Sequence, residues 1–346
     1  MTPASLATAT LVSLGQISNR TFVLPLVIFY ATSRCNSRCI SCDWWKHTGS
    51  DDLSLDEIGA IADAAARLGT RVVVFSGGEP LLRPDVFEAA QLFRRRTITL
   101  HLLSSGLLLE RLAEGVARHF SRVCISLDAA DESRYERIRG VPALHAVERG
   151  IAKLRRIAPQ VNVTARATLQ RENFRLLPDL IDHARRLGLD GISFLPADVR
   201  SSDAFGRDAA IDSTRLALDR DEIAAFEATI ERTIRTHAGA FASGFVAESP
   251  QKLRRLPTYY RALAGDGPFP AVECNAPWVS IVIEANGAVR PCFFHRAIGN
   301  VRDRSLESIV NNDLRTFRAA LRVGRNPVCE RCVCTLKTGW RRAPWM

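Results

Sequence analysis

The sequence predicts an α/β fold built on a parallel sheet, followed by a small α+β domain. Three observations carry that expectation. Short, almost wholly apolar runs alternate with amphipathic stretches through roughly the first 200 residues of the 346-residue chain. Strands that read as continuous apolar runs are those covered by helices on both faces, as in parallel sheets. The loops rich in cysteine, glycine and serine all follow such runs, so they gather at the carboxyl end of the sheet, where a full or partial barrel carries its chemistry. After Pro196 the alternation lapses, and helices and a hairpin set among five cysteines take its place.

The elements follow in order. "FVLPLVIFYA", Phe22 to Ala31, is too short to span a bilayer and reads as a buried strand leading to Cys35. Ser54 with Glu57 three residues on is a capping-box pattern, and Ile58, Ile61, Ala65 and Leu68 recur at helical spacing behind it. "RVVVF" (71–75) is a strand, and "PDVFEAAQLFRR" is a helix with Pro84 near its first turn. "ITLHLL", "RVCISL", "VNVTARATL" and "GISFL" are further strands, separated by the helices "LLERLAEGVARHF", "ALHAVERGIAKLRRI" and "LLPDLIDHARRLG". That makes six strands with helical crossovers. A polar stretch follows Pro196, then helices near 220–237 and 249–263. A hairpin turns at Asn286-Gly287, and a last helix runs near 305–321. The expected organisation is an N-terminal extension over 1–21, the sheet domain over 22–215 and the smaller domain over 216–346.

A net charge of +10 comes almost wholly from arginine, since only Lys46, Lys153, Lys252 and Lys337 are lysines. The arginines are scattered, without a basic block or aromatic–basic alternation, so nucleic-acid binding is not expected. No cationic segment followed by an apolar one opens the chain, so no secretion signal is read.

Nine cysteines say more. Cys35, Cys39 and Cys42 lie in "CNSRCISC"; Cys124 stands alone in a strand, where burial accounts for it; Cys274, Cys292, Cys329, Cys332 and Cys334 fall in the last quarter. Clustering of this kind points to metal rather than disulfides. A closed structural zinc site takes four ligands, and a cubane cluster has four irons to ligate. The first group offers three sulfurs. Either a fourth ligand comes from elsewhere, or one metal position is open to a substrate or cosubstrate.

Cys-x3-Cys-x2-Cys after the first buried strand, with "GGEP" after the second, resembles the radical S-adenosylmethionine (radical SAM) superfamily over about residues 22–200. The resemblance implies a partial (β/α)6 barrel. It implies that Cys35, Cys39 and Cys42 hold three irons of a [4Fe–4S] cluster, whose fourth iron is chelated by the amino and carboxylate groups of S-adenosylmethionine. Gly77, Gly78, Glu79 and Pro80 would border the methionine amine. Ser105, Ser126, Asp128 and Arg166 match further positions facing the cosubstrate, with "IRG" (138–140) after the fourth strand and Asn173 after the fifth. The family carries an aromatic residue before its third cysteine, which packs on the adenine. Here Ser41 stands there, so Trp44 or Trp45 either takes over the stacking or belongs to the core.

Cys274-x12-Gly287-x4-Cys292 followed by Cys329-x2-Cys332 resembles the SPASM/twitch extension. Fewer cysteines follow than in the full SPASM form. The resemblance therefore implies one auxiliary [4Fe–4S] cluster held by Cys274, Cys292, Cys329 and Cys332, with Cys334 as an alternative ligand. A four-cysteine zinc site has the same spacing. Glu273 and His295 flank the group and are candidates to act on a substrate proton.

The function implied is a cytoplasmic radical enzyme of the oxidoreductase type, with an electron donor such as flavodoxin or ferredoxin and no membrane partner. Its substrate would be a small polar biosynthetic molecule or, alternatively, a ribosomal peptide or protein side chain. Only 34 residues precede Cys35, fewer than a leader-peptide domain needs, which favours the small molecule. A non-catalytic zinc protein is the reading from another class.

Overall fold

The protein is described here by a computed structural model over residues 3–209 and 211–337. Strands β1 (Leu26–Thr32), β2 (Val72–Gly77), β3 (Thr99–Ser104), β4 (Arg122–Ser126), β5 (Asn162–Leu169) and β6 (Gly191–Pro196) pair in parallel and in sequence order. The sheet stays open, with β6 at its edge, so the barrel is partial.

All seven residues of β1 are buried, and the two-residue period shows why. Val27, Phe29 and Ala31 join the main core under the helices, while Leu26, Ile28 and Tyr30 pack with Val72, Val282 and Ala285 on the face that encloses the cavities. Burying each of the larger side chains contributes about 1.5–3 kcal/mol.

The helices are α1 (Pro3–Ser18), α2 (Leu55–Arg67), α3 (Val86–Arg94), α4 (Leu109–His119), α5 (Glu132–Arg139), α6 (Leu144–Ile157), α7 (Leu177–Arg186) and α8 (Arg220–Thr236). At the start of α2, Ser54 Oγ accepts the Glu57 N–H at 3.2 Å, and Glu57 Oε2 accepts the Ser54 N–H at 2.7 Å. Helices α1 and α5 were not expected. In α5 only Tyr135 and Ile138 are buried, too sparse a pattern to read as an apolar face.

Beyond α8 the expected helix at 249–263 is split into Pro250–Leu253 and Arg255–Leu263. The hairpin is formed by β7 (Ser280–Ile283) and β8 (Ala288–Arg290), with β9 (Gly299–Asn300) beside it. Strand β7 pairs in parallel with β1, from Leu26↔Ser280 to Phe29↔Ile283. The hairpin therefore extends the barrel's own sheet to nine strands. The last long helix spans Leu306–Ala320 with a π-helical turn at Ile309–Asp313. Among the described residues no helix is long and apolar enough to cross a membrane.

Candidate active site

The carboxyl ends of the strands enclose a cavity of about 270 Å³. Cys35, Cys39 and Cys42 all line it. Their loop leaves β1 under several fastenings. Asp52 accepts hydrogen bonds from Thr32 Oγ1, from Ser33 N–H at 3.0 Å and from Ser33 Oγ at 2.9 Å. Gly78 N–H donates to Thr32 O at 3.0 Å and Glu79 N–H to Arg34 O at 2.8 Å. A Cβ on Gly78 would lie 2.1 Å from Arg34 O, so only glycine allows the two loops to meet backbone to backbone.

The polar stretch after Pro196 clamps the other side. Arg207, 4% exposed, donates through Nη2 to Ser41 O at 2.6 Å and to Asp198 O at 2.9 Å. Asp43 N–H donates to Phe205 O at 2.9 Å. Arg207 and Asp52 carried no sequence signal, since each sits in a segment that reads as loop.

Glu79 is buried, and its carboxylate is engaged on both oxygens. Ser104 Oγ (2.9 Å) and Leu81 N–H (3.1 Å) donate to one; Ser105 N–H (2.7 Å) and Ser105 Oγ (2.6 Å) donate to the other. Burial raises its pKa above the ordinary carboxylate value. Gly77, Gly78, Ser105 and Ser126 line the cavity; Pro80 is buried and is not among its lining residues. Asp128 lines it too, with Oδ1 accepting the Thr168 N–H at 2.6 Å and Oδ2 lying 2.7 Å from Arg139 Nε. Asn173 does not reach the cavity: its amide donates to Asp128 O and Thr168 O. Trp44 lines the cavity, edge-on to Tyr30 at 5.5 Å, whereas Trp45 lies outside it, 39% exposed, with its indole N–H bonded to Cys42 O.

A second cavity of about 640 Å³ lies inside the barrel against the C-terminal residues. Cys274, Cys292, Cys329, Cys332 and Cys334 all line it. Arg166 and Cys334 are among six residues that line both cavities, with Leu103, Leu195, Phe293 and Phe294, so the two lie side by side. Arg166 donates through Nε to Ser193 Oγ at 3.1 Å, while its Nη atoms make no hydrogen bond among the described residues. Cys124 also faces the inner cavity rather than the core. His295 Nε2 lies 3.3 Å from Cys329 Sγ, and burial lowers its pKa, keeping the ring neutral. Glu273 is drawn off to a surface pair with Lys337.

The donor sets fit iron–sulfur clusters. Both are thiol groups, the soft ligands such clusters take. Burial pushes Cys35 and Cys292 up to about 11, and Cys329 to about 12, so metal loading must release protons. Ser37 Oγ lines the first cavity and is buried without a partner among the described residues, as a polar atom facing a bound group would be. Among the described residues no three His, Cys, Asp or Glu side chains converge on a single ion.

Comparison with known proteins adds to this geometry. Residues 29–192 match the model of the radical SAM superfamily, and residues 274–333 match that of the SPASM iron–sulfur cluster-binding domain. The Fe-coproporphyrin III synthase of Methanosarcina barkeri is 27% identical over 336 residues, covering 89% of this chain and 80% of that protein. The PqqA peptide cyclase of Rhodopseudomonas palustris is 30% identical over 279 residues, covering 79% and 68%. Among solved structures, SuiB of Streptococcus suis bound to S-adenosylmethionine superposes with a TM-score of 0.67 at 14% identity, covering 97% of this chain and 80% of that one.

Proposed function

Because the chain belongs to the radical SAM superfamily and carries a SPASM domain, we propose that it abstracts hydrogen from a small polar biosynthetic molecule held in the inner cavity. Its cofactors are [4Fe–4S] clusters and S-adenosylmethionine. The observation that carries the proposal is that two cavities, each with its own cysteine group, lie side by side and share Arg166 and Cys334 in their linings. A cavity of about 640 Å³, part of which the auxiliary cluster would fill, is of the size that holds small ligands.

In this reading Cys35, Cys39 and Cys42 hold one cluster, and Cys274, Cys292, Cys329 and Cys332 hold the auxiliary one. Bound there, the clusters would supply one-electron reductive cleavage of S-adenosylmethionine and an acceptor for the second electron of a net oxidation. The protein's own groups position and enclose. Gly77 and Gly78 would face the methionine amine, and Ser126 and Trp44, which line the same cavity, would border the nucleoside. Glu79 orders the Ser104-Ser105 turn beneath it. Arg166 offers its Nη donors to a carboxylate where the two cavities adjoin. An electron donor such as flavodoxin or ferredoxin would supply the electron that the cleavage consumes. The second reading, modification of a ribosomal peptide, is favoured by the 30% identity to the PqqA peptide cyclase.

Variants and substrates test different parts. Cys35→Ala, Cys39→Ala or Cys42→Ala is expected to abolish 5′-deoxyadenosine formation under anoxic reduction. Cys329→Ala, shown folded by circular dichroism, is expected to lose about half the iron, as two clusters require, and to retain cleavage but not product. Normal turnover by that variant would make the second site structural only. For the substrate, 5′-deoxyadenosine formation is measured with the small-molecule and peptide fractions of a cell extract. Stimulation by the peptide fraction alone would replace the first reading with the second.

A further inference from the structure

Helix α5 ends against the first cysteine loop. It is capped at its start by Asp131, whose side chain accepts the Arg134 N–H at 2.9 Å, and at its end by Gly140, which has φ +69°. A Cβ on Gly140 would lie 2.4 Å from Arg38 O, so the two segments pass at backbone contact. Arg38 N–H donates to Arg139 O at 2.8 Å and Ile40 N–H donates to Ile138 O at 3.0 Å. These two bonds bracket Cys39.

The same docking carries the Arg139 side chain inward. Its guanidinium sits 2.7 Å from Asp128 Oδ2 through Nε and 3.5 Å from Cys39 Sγ through Nη1. The arginine side chain is 14% exposed and the aspartate 5%, so solvent screens the pair little. No other arginine donates a hydrogen bond to a cysteine sulfur among the described residues. The sequence showed this residue only as the middle of "IRG", with no role attached.

Resting on the assignment of Cys35, Cys39 and Cys42 to a [4Fe–4S] cluster, we propose that Arg139 is a positioning residue that sets that cluster's reduction potential, with Asp128 limiting its effect. A cationic N–H···S bond stabilises the state with more negative charge on sulfur, which is the reduced one; hydrogen bonds to sulfur and net charge are among the factors that fix such potentials. Asp128 opposes this, because its carboxylate offsets the guanidinium charge. The pair therefore holds the potential between two limits, each reachable by removing one partner.

The test is a redox titration followed by electron paramagnetic resonance on the anoxically reconstituted full chain. The relevant signal is the one that S-adenosylmethionine perturbs, since a cluster closed by four cysteines has no position for it. Arg139→Gln is expected to lower the potential and Asp128→Asn to raise it. Each shift should change the reduced fraction at a fixed poise by about tenfold, or about 59 mV for one electron. Arg139→Lys, which keeps the charge without the fixed fork, should fall between wild type and Arg139→Gln. A structural role alone would lower iron content without opposite shifts. If Arg139→Gln loses its iron, Arg139→Lys and Asp128→Asn decide between the two roles by the same signs. Shifts of one sign in both variants, or wild-type potentials with full iron, would overturn the proposal. A wild-type protein with no signal responsive to S-adenosylmethionine would instead remove the cluster assignment itself.

Discussion

Glu79 accepts four hydrogen bonds from Leu81, Ser104 and Ser105, and a carboxylate has about four acceptor positions. In Glu79→Gln the amide nitrogen faces donors on one side. One buried donor is then left unpaired, at a cost of about 1–3 kcal/mol. Thermal melting of the anoxic protein should show that loss, together with weaker S-adenosylmethionine binding because the turn beneath the ligand loosens. An unchanged melting temperature would mean that the serines re-orient. Trp44 and Trp45 separate in the same assay. Trp44→Ala should weaken S-adenosylmethionine binding, measured by equilibrium dialysis, whereas Trp45→Ala should not, since only Trp44 lines the cavity. The cysteines and "GGEP" were legible because motif spacing fixes them to loops after particular strands. Arg139, Arg207 and Asp52 were not. An arginine that reaches a sulfur or a carbonyl across a hundred residues of chain leaves no periodic trace, and only the fold brings the two ends together.

The start of helix α2 and the turn after β9 meet through a charged cluster. Arg302 donates through Nε to Glu57 at 2.7 Å and pairs through Nη1 with Asp51 at 2.5 Å. The arginine holds the Glu57 carboxyl down at about 2, against 4.5 for the free group. A folded value below the unfolded one adds stability above about pH 4.5. That contribution disappears as pH falls toward 2. The groups are about a third exposed, so the expected size is only about 0.5–1 kcal/mol. Arg302→Gln should therefore be less stable than wild type near pH 6, with the gap narrowing as pH falls from about 4.5 toward 2. A gap that stays constant would take Glu57 out of the interaction. At this scale the strands and crossover helices were readable, because β1 to β6 are apolar runs and Ser54 announces α2. Helix α5 was hidden by its charged composition, and the split at Arg254 by the continuous pattern around it. The pairing of β7 with β1 had no signal in either segment, since both read as buried strands and neither names its neighbour.

Strand β7 belongs to the C-terminal region by sequence and to the barrel by hydrogen bonding, with Val282 packed against Leu26, Ile28 and Tyr30. Calorimetry on the full chain is expected to show one cooperative transition rather than two, and Val282→Asp should lower that single transition by burying a charge. Two resolved transitions would mean that the shared sheet does not couple the halves. The same pairing has a consequence for how the chain is made. On the ribosome β1 emerges about 250 residues before β7. At the roughly 5–20 residues per second of synthesis, its outer backbone groups go without their final partner for about 12–50 seconds. An open, apolar strand of that kind invites pairing with other chains. A chaperone that shields the nascent barrel until Ile283 has cleared the exit tunnel should therefore raise the yield of soluble protein, most of all when translation is slow.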